Sequence, residues 1–310
     1  MSIVTLQQIR KSIGNLNPHS VREASERQLD IALYAASAED YHVIENYLLE
    51  GLSPARRRDS AASLHRGPDA HKVLQFDLAI YDESVLAPSR ALLFERHHPE
   101  RLVKHVLARH PDPGIPLARA FSPFREPFIE SVIQKTCREN TLFSLATALP
   151  DVLPSFIEIP WAVTEFASDT AFLTMTQIKM AFSIAAASDR KVGYLEQKSE
   201  IASVIGGAFG FRAIARQLVG KIPFGGGLLP KAAIAYAGTK VVGKSLERLY
   251  RIGYGYTAAE REELYQAAFV QGKSVAQRLL GYLWPNIDKK GRQTASRQQD
   301  RQHEYTHTRS

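Results

Sequence analysis

The sequence holds a single cysteine, Cys137, among 310 residues. That excludes an intramolecular disulfide and fits a reducing compartment. Long apolar runs are missing as well. The longest charge-free stretches of the apolar half are Asn140–Pro150 and Ile201–Phe211. Both fall far short of the roughly 18–20 residues that a spanning helix needs. Runs of this length suit buried core helices, re-entrant elements or interfacial helices. The opening MSIVTLQQIRK has no apolar stretch behind a basic one, so it reads as no secretory signal. Strand-like material is scarce. It is confined to VLQFDLAIYDE and ALLFER, a one- or two-stranded element near residues 73–95. FDLAIYD is a hydrophobic run closing on aspartate, as a Walker B strand does, but buried strands also commonly end in aspartate at a turn. No nucleic-acid motif and no interleaving of basic and aromatic residues is present.

What is there is a foldable, basic chain. It is 45% hydrophobic and 23% charged, with a formal net charge of +7 and a pI near 9.4. Such a composition supports a substantial core. The charge favours an anionic partner: a membrane surface, a nucleic acid or an acidic protein.

Most of the chain reads as helix. SVRE (Ser20–Glu23) forms a capping box ahead of ASERQLDIALYAAS. AEDYHVIENYLLEG stops at Gly51, and Ser53-Pro54 supplies an N-cap with proline in the first turn. Arg56, Arg57 and Arg58 follow and read as a solvated basic face, with a phosphate clamp as the rival. His98, His105 and His110 lie seven and five residues apart. They diverge around a helix, and no metal site is expected. From Pro123 onward Ile129, Ile133, Cys137, Leu142, Leu145 and Leu149 form a core-facing stripe. Further helices are expected over 160–187, 195–219, 230–250 and, behind the capping box Thr257–Glu260, to about Leu280. The polar residues from about 285 read as a disordered basic tail.

GTKVVGKS, Gly238–Ser245, has the letters of a phosphate-binding P-loop. A working P-loop joins the first strand of a sheet to a helix. Here the preceding KAAIAYA is alanine-rich and starts behind Pro230, a helical context. Too little chain follows to supply the remaining strands. The expectation is therefore a helix in which Gly238 and Gly243 admit a close neighbour, as Gly206, Gly207 and Gly210 would on the preceding helix. Between them Gly225–Gly227 reads as a plain turn. The alternative is an anion site built from Lys221, Gly225, Gly226, Gly227 and Lys231 at a helix start. Glu165 and Asp169 share one helix face, as do Arg212 and Arg216. If their helices pack together, the four form a structural ion-pair layer.

The stretches RENTLFSLATALP, SDTAFLTMTQIKMAFSIAAASDR and IGGAFGFRAIARQLVGKIPFGGGLLPKAAIAYAGTKVVGKSLERLY resemble a bacterial domain of unknown function. That domain is typified by YcjF and commonly lies behind an Era-type GTPase domain. The resemblance covers about residues 123–280. It implies an all-helical, membrane-associated, GTPase-linked module, and it brings no catalytic residues.

The expected architecture is mainly α: a multi-helix bundle with a tightly packed Gly/Ala-rich hairpin and a small strand element. Its expected parts are a helical N-terminal region with a short strand element over 1–122, the chain being a stand-alone or a degenerate relative of the GTPase-linked proteins; an apolar helical domain over 123–284; and the tail over 285–310. The expected role is a non-enzymatic scaffold or GTPase partner, peripheral or partly inserted at the cytoplasmic face of the inner membrane, with no cofactor, no catalytic residue and no specific nucleic acid. The alternatives are a soluble helical bundle of another role, and an NTP-binding protein acting through Gly238–Ser245.

Overall fold

The computed structural model describes residues 18–67, 75–147, 169–204 and 227–307, with 169, 170 and 283–307 as backbone alone. The protein is mostly helical with a small parallel sheet. The chain opens with α1 (His19–Glu26), β1 (Ile31–Tyr34), α2 (Ala38–Leu48), α3 (Pro54–Ala61) and β2 (Leu64–Arg66). β3 (Leu78–Asp82), β4 (Leu92–Phe94), α4 (Glu100–Arg109) and α5 (Gly114–Ala120) complete a first lobe. Four long helices follow: α6 (Ser122–Ala146), α7 (Asp169–Ala187), α8 (Leu228–Ile252) and α9 (Ala258–His307).

The strands lie in the order β2-β1-β3-β4, and every pairing is parallel. Ile31 stands opposite both Leu64 and Leu78, and Ile80 opposite Leu92. Two of these strands correct the sequence reading. Residues 24–37 are not one helix, because α1 stops at Glu26 and IALY is the inner strand β1. Ile31, Ala32 and Leu33 are all buried, as in a strand covered on both faces. Such a strand shows no alternation to give it away, and its Ala and Leu also suit a helix. β2 is a three-residue edge strand, LHR, with no apolar pattern. The capping box expected at Ser20 is absent too. Pro18 occupies that N-cap with no side-chain bond. A capping box forms instead at Ser37 and Asp40, whose side chains each accept from the other's backbone amide.

Other local signals act as the sequence predicts. Gly51 has φ +69°, a conformation that favours glycine. Ser53 caps α3 ahead of Pro54. Thr257 and Glu260 cap α9 reciprocally. The last helix, however, runs on to His307 rather than ending near Leu280. Arg292, Gln293, Ala295 and Arg297 are good helix formers.

One apolar core joins the sheet to the long helices. Leu33, Ile80 and Phe94 belong to the same cluster as Phe124, Ile133, Cys137, Met180 and Tyr236. It runs without a break across residues 122–123, in the first turn of α6, where the sequence reading divides the chain. Within the helical half, close approach comes from glycine. A Cβ on Gly243 would meet Ile133 Cγ1 at 2.7 Å, and one on Gly272 would meet Ala233 O and Tyr236 Cβ at 2.9 Å. Gly238 is buried in α8. No helix among the described residues is long and apolar enough to cross a membrane.

Candidate functional site

In an open parallel sheet, ligands bind beyond the carboxyl ends of the strands, at the point where connections leave in opposite directions. Here that point lies between β1 and β3. β1 leads through α2 and α3 to β2 on one side, and β3 leads to β4 on the other. The segment after β1 brings Asp40 on the first turn of α2, β3 ends on Asp82, and Arg96 follows β4 by two residues.

These side chains lock one another. Arg96 Nη2 donates to Asp82 Oδ1 at 2.9 Å and also to Asp40 Oδ1. Its Nε lies 3.8 Å from Glu83 Oε1. Ser84 donates its amide to Asp82 Oδ1 at 3.0 Å and its hydroxyl to Asp40 Oδ2 at 3.2 Å, while accepting from the Ala36 amide. Asp82 has no exposed surface, and its Oδ2 makes no hydrogen bond. Burial pushes its carboxyl up. The Arg96 guanidinium and then Ser84 outweigh that and hold it below the usual carboxylate range. Asp40 is held low by Arg96 first and by Ser37 next. The Asp82 and Asp40 carboxylates in turn raise the Arg96 pKa. Chemically this is a charged latch across three strand ends. The crevice in which a nucleotide protein holds phosphate is occupied by the chain's own arginine and carboxylates.

GTKVVGKS lies wholly inside α8. Its amides are therefore engaged along the helix rather than presented as a cradle. Lys244 Nζ sits 2.7 Å from Glu130 Oε2 and 2.8 Å from Glu247 Oε2. Burial lowers its pKa, but the two carboxylates outweigh that and raise it overall. Lys240 is bonded to Gln271. These two lysines point at protein groups.

Of the alternative anion site, Lys221, Gly225 and Gly226 lie outside the described residues. Gly227 is the N-cap of α8, and Lys231 donates to Thr147 Oγ1 at 3.2 Å. Glu165, Arg212, Arg216, Gly206, Gly207 and Gly210 also lie outside the described residues. Asp169 opens α7 as backbone alone. What binds α6, α7 and α8 together in the described part is an uncharged layer that the sequence reading missed. Buried Asn140 donates to Thr239 Oγ1 at 2.8 Å and accepts from Thr176 Oγ1 at 2.7 Å, and Gln177 adds a bond to Thr239. Among the described residues no cluster of His, Cys, Asp or Glu is arranged to hold a metal. Arg56 and Arg57 are engaged by Asp189 and Asn46.

Asp82 was visible in the sequence as a strand end. Asp40 and Arg96 were not, because only the pairing of β1 and β4 with β3 brings them to it. Comparison of the chain with models of known families, with curated proteins and with solved structures finds no match.

Proposed function

We propose that this chain is a non-enzymatic docking module. It would act peripherally at the cytoplasmic face of a membrane, as scaffold or partner for a GTPase or another protein there. The observation that carries the reading is self-occupation. Arg96 fills the carboxyl edge of the sheet between Asp40 and Asp82, and Lys244 is held between Glu130 and Glu247. Both places where the sheet topology and the P-loop letters would put a nucleotide's phosphates are closed by the protein itself. The net charge of +7 supports an anionic surface as partner. The resemblance of residues 123–280 to the YcjF-type module supports the link to a GTPase. In this reading residues 1–122 are a degenerate nucleotide domain, 123–284 form the helical module, and its Gly/Ala-rich helices pack as a tight hairpin.

Titration calorimetry with GTP, GDP and ATP in the presence of Mg²⁺ tests the non-enzymatic part. No saturable heat is expected. A nucleotide affinity that disappears in Lys244→Ala overturns the reading. Cell fractionation tests location: the protein should sediment with membranes at low salt and be released by carbonate. Recovery in the soluble fraction at low salt counts against the membrane part.

A further inference from the structure

The amino edge of the sheet carries charged side chains of both signs. A cleft of about 420 Å³ opens there, beside the residues that lead into β1 and β2. Its wall includes Ser25, Leu29, Arg56, Ser60 and Arg119. That volume lies within the range of small-molecule sites, roughly 300–1,000 Å³.

Two of the wall's guanidinium groups share one carboxylate oxygen. Asp189 Oδ1 lies 2.7 Å from Arg56 Nη2 and 3.0 Å from Arg119 Nε. A third guanidinium, Arg125, stands behind them, donating to the carbonyls of Ala187, Ala118 and Arg119. Burial lowers the Arg125 pKa; Asp189 opposes that, while the like charge of Arg56 adds to it. Arg119 also donates Nη1 to Ser25 O at 3.0 Å. Two arginines therefore converge on one acid, with Arg125 close behind. The Arg56 guanidinium meets Asp189 through Nη2 and stands in the wall of the cleft. Arg119 lines the same cleft, its Nε and Nη1 engaged by Asp189 and Ser25.

Like charges gathered in a concave, partly dehydrated place repel one another unless an anion joins them. Guanidinium forks are matched to the planar oxygens of carboxylate and phosphate. The side chains of Arg56 and Arg119 are 34% and 28% exposed, so a ligand can reach them. Glu26, Asp30 and Asp59 also line the cleft. Asp30 is already engaged by His65 at 2.7 Å. These acids favour a ligand with donor groups of its own over a bare polyanion. We propose that this cleft binds a small organic anion, one that presents a carboxylate or phosphate to Arg56 and Arg119 and hydroxyl or ammonium donors to the acids.

Calorimetry on the full chain at low ionic strength tests this with three probes: inorganic phosphate, succinate and phosphoserine. Saturable binding of at least one is expected. The strongest probe tells a phosphoryl ligand from a carboxylate one. Arg56→Gln should weaken that probe by about tenfold, the loss of one charge-assisted bond. Asp189→Asn removes the internal rival for the arginines and should strengthen it severalfold. Asn also tolerates the φ of +56° at this position. Arg58→Gln, an exposed neighbour on α3, should leave the affinity unchanged. If no probe saturates on either the native protein or Asp189→Asn, the proposal fails. It fails equally if Arg58→Gln costs as much as Arg56→Gln, which would mark general charge attraction. Should Arg56→Gln lose its near-UV circular dichroism, the folded Asp189→Asn decides alone. An unchanged or weaker affinity there overturns the site.

Discussion

The sheet lobe and the long helices specify their structures by different means. In the lobe, polar specificity is carried by charge at the rims of the sheet: Arg96 among Asp40, Asp82 and Glu83 at one edge, Asp189 between Arg56 and Arg119 at the other. Among α6–α9 the described interior is set mainly by shape and by uncharged hydrogen bonds, with one partly buried charged group, Lys244 between Glu130 and Glu247. Gly243 and Gly272 admit neighbouring helices, and Asn140 ties Thr176 to Thr239. The difference follows from geometry. A parallel sheet gathers several strand ends at one rim, where long charged side chains meet while still touching water. Helices packed along their lengths offer no such rim, so a polar group between them must be small and fully satisfied. The lobe's stability should then respond to pH and salt, and that of the helical half to volume.

The largest expected effect lies in the helical half. Gly272→Ala would normally help a helix by up to about 1 kcal/mol. Here the new methyl group meets backbone atoms of Ala233 and the Cβ of Tyr236, none of which can swing away. Overpacking commonly costs about 1–3 kcal/mol, and rigid neighbours favour the upper part of that range. A net loss of about 2 kcal/mol is expected, read as a lower urea midpoint and insensitive to salt. A variant as stable as the parent would show that α8 and α9 do not approach this closely.

Asn140→Leu comes next. It keeps volume but strips Thr239 and Thr176 of their shared partner. Each hydroxyl retains a backbone acceptor, Ala235 O and Leu173 O. The loss should therefore stay near that of one or two hydrogen bonds, about 1–2 kcal/mol. Thr239→Val should remove part of the same energy, so the double variant should be less destabilised than the sum of the two. Strict additivity would mean the layer is not a network.

At the boundary of the two regimes is the cap of α2. Ser37→Ala removes the acceptor for the Asp40 amide. It should cost about 1 kcal/mol, within the usual range of cap losses of roughly 0.5–2 kcal/mol. Because Asp40 also belongs to the rim latch, this variant alone among the first three should show a loss that changes with pH.

How much of this could be read beforehand divides along the same line. Punctuation was legible, since Gly51, Ser53-Pro54 and the Thr257–Glu260 box act within a few residues. So was the helical setting of GTKVVGKS, because alanine-rich flanks bias the backbone locally. Of the expected stripe, Ile129, Ile133, Cys137 and Leu145 are buried, Leu142 is half-buried and Leu149 lies outside the described residues. The strands of the sheet other than β3 and β4 were hidden. β1 has no polar face to alternate, and β2 has no apolar one. With β1 missing, nothing placed Asp40 beside Asp82. The arginines at the amino edge were visible only as separate basic residues, because their meeting at Asp189 depends on contacts across 70 and more residues.

The smallest effect is the sharpest test of the contrast, because it concerns only how stability varies with acid. Asp40 and Asp82 are both held below their ordinary value of 3.8 in the folded protein, Asp82 against its burial and both through Arg96. A carboxylate whose folded pKa is depressed contributes stability that is fully present above its unfolded value and is lost as pH falls through the folded one. The latch should thus be intact at pH 6 and fade below about pH 4. Arg96→Gln removes the guanidinium that lowers both groups. At pH 6 it should be less stable than the parent, and the gap between them should narrow as the pH drops toward 3. Gly272→Ala, by contrast, should run parallel to the parent over the same window, since no titrating group takes part in its clash. Urea midpoints for the three proteins between pH 3 and 6 give the answer. A constant gap for Arg96→Gln would mean that Asp40 and Asp82 owe nothing to its charge. Solvent reaches a third of the Arg96 side chain, so added salt should also narrow the gap at pH 6 and leave that of Gly272→Ala unmoved.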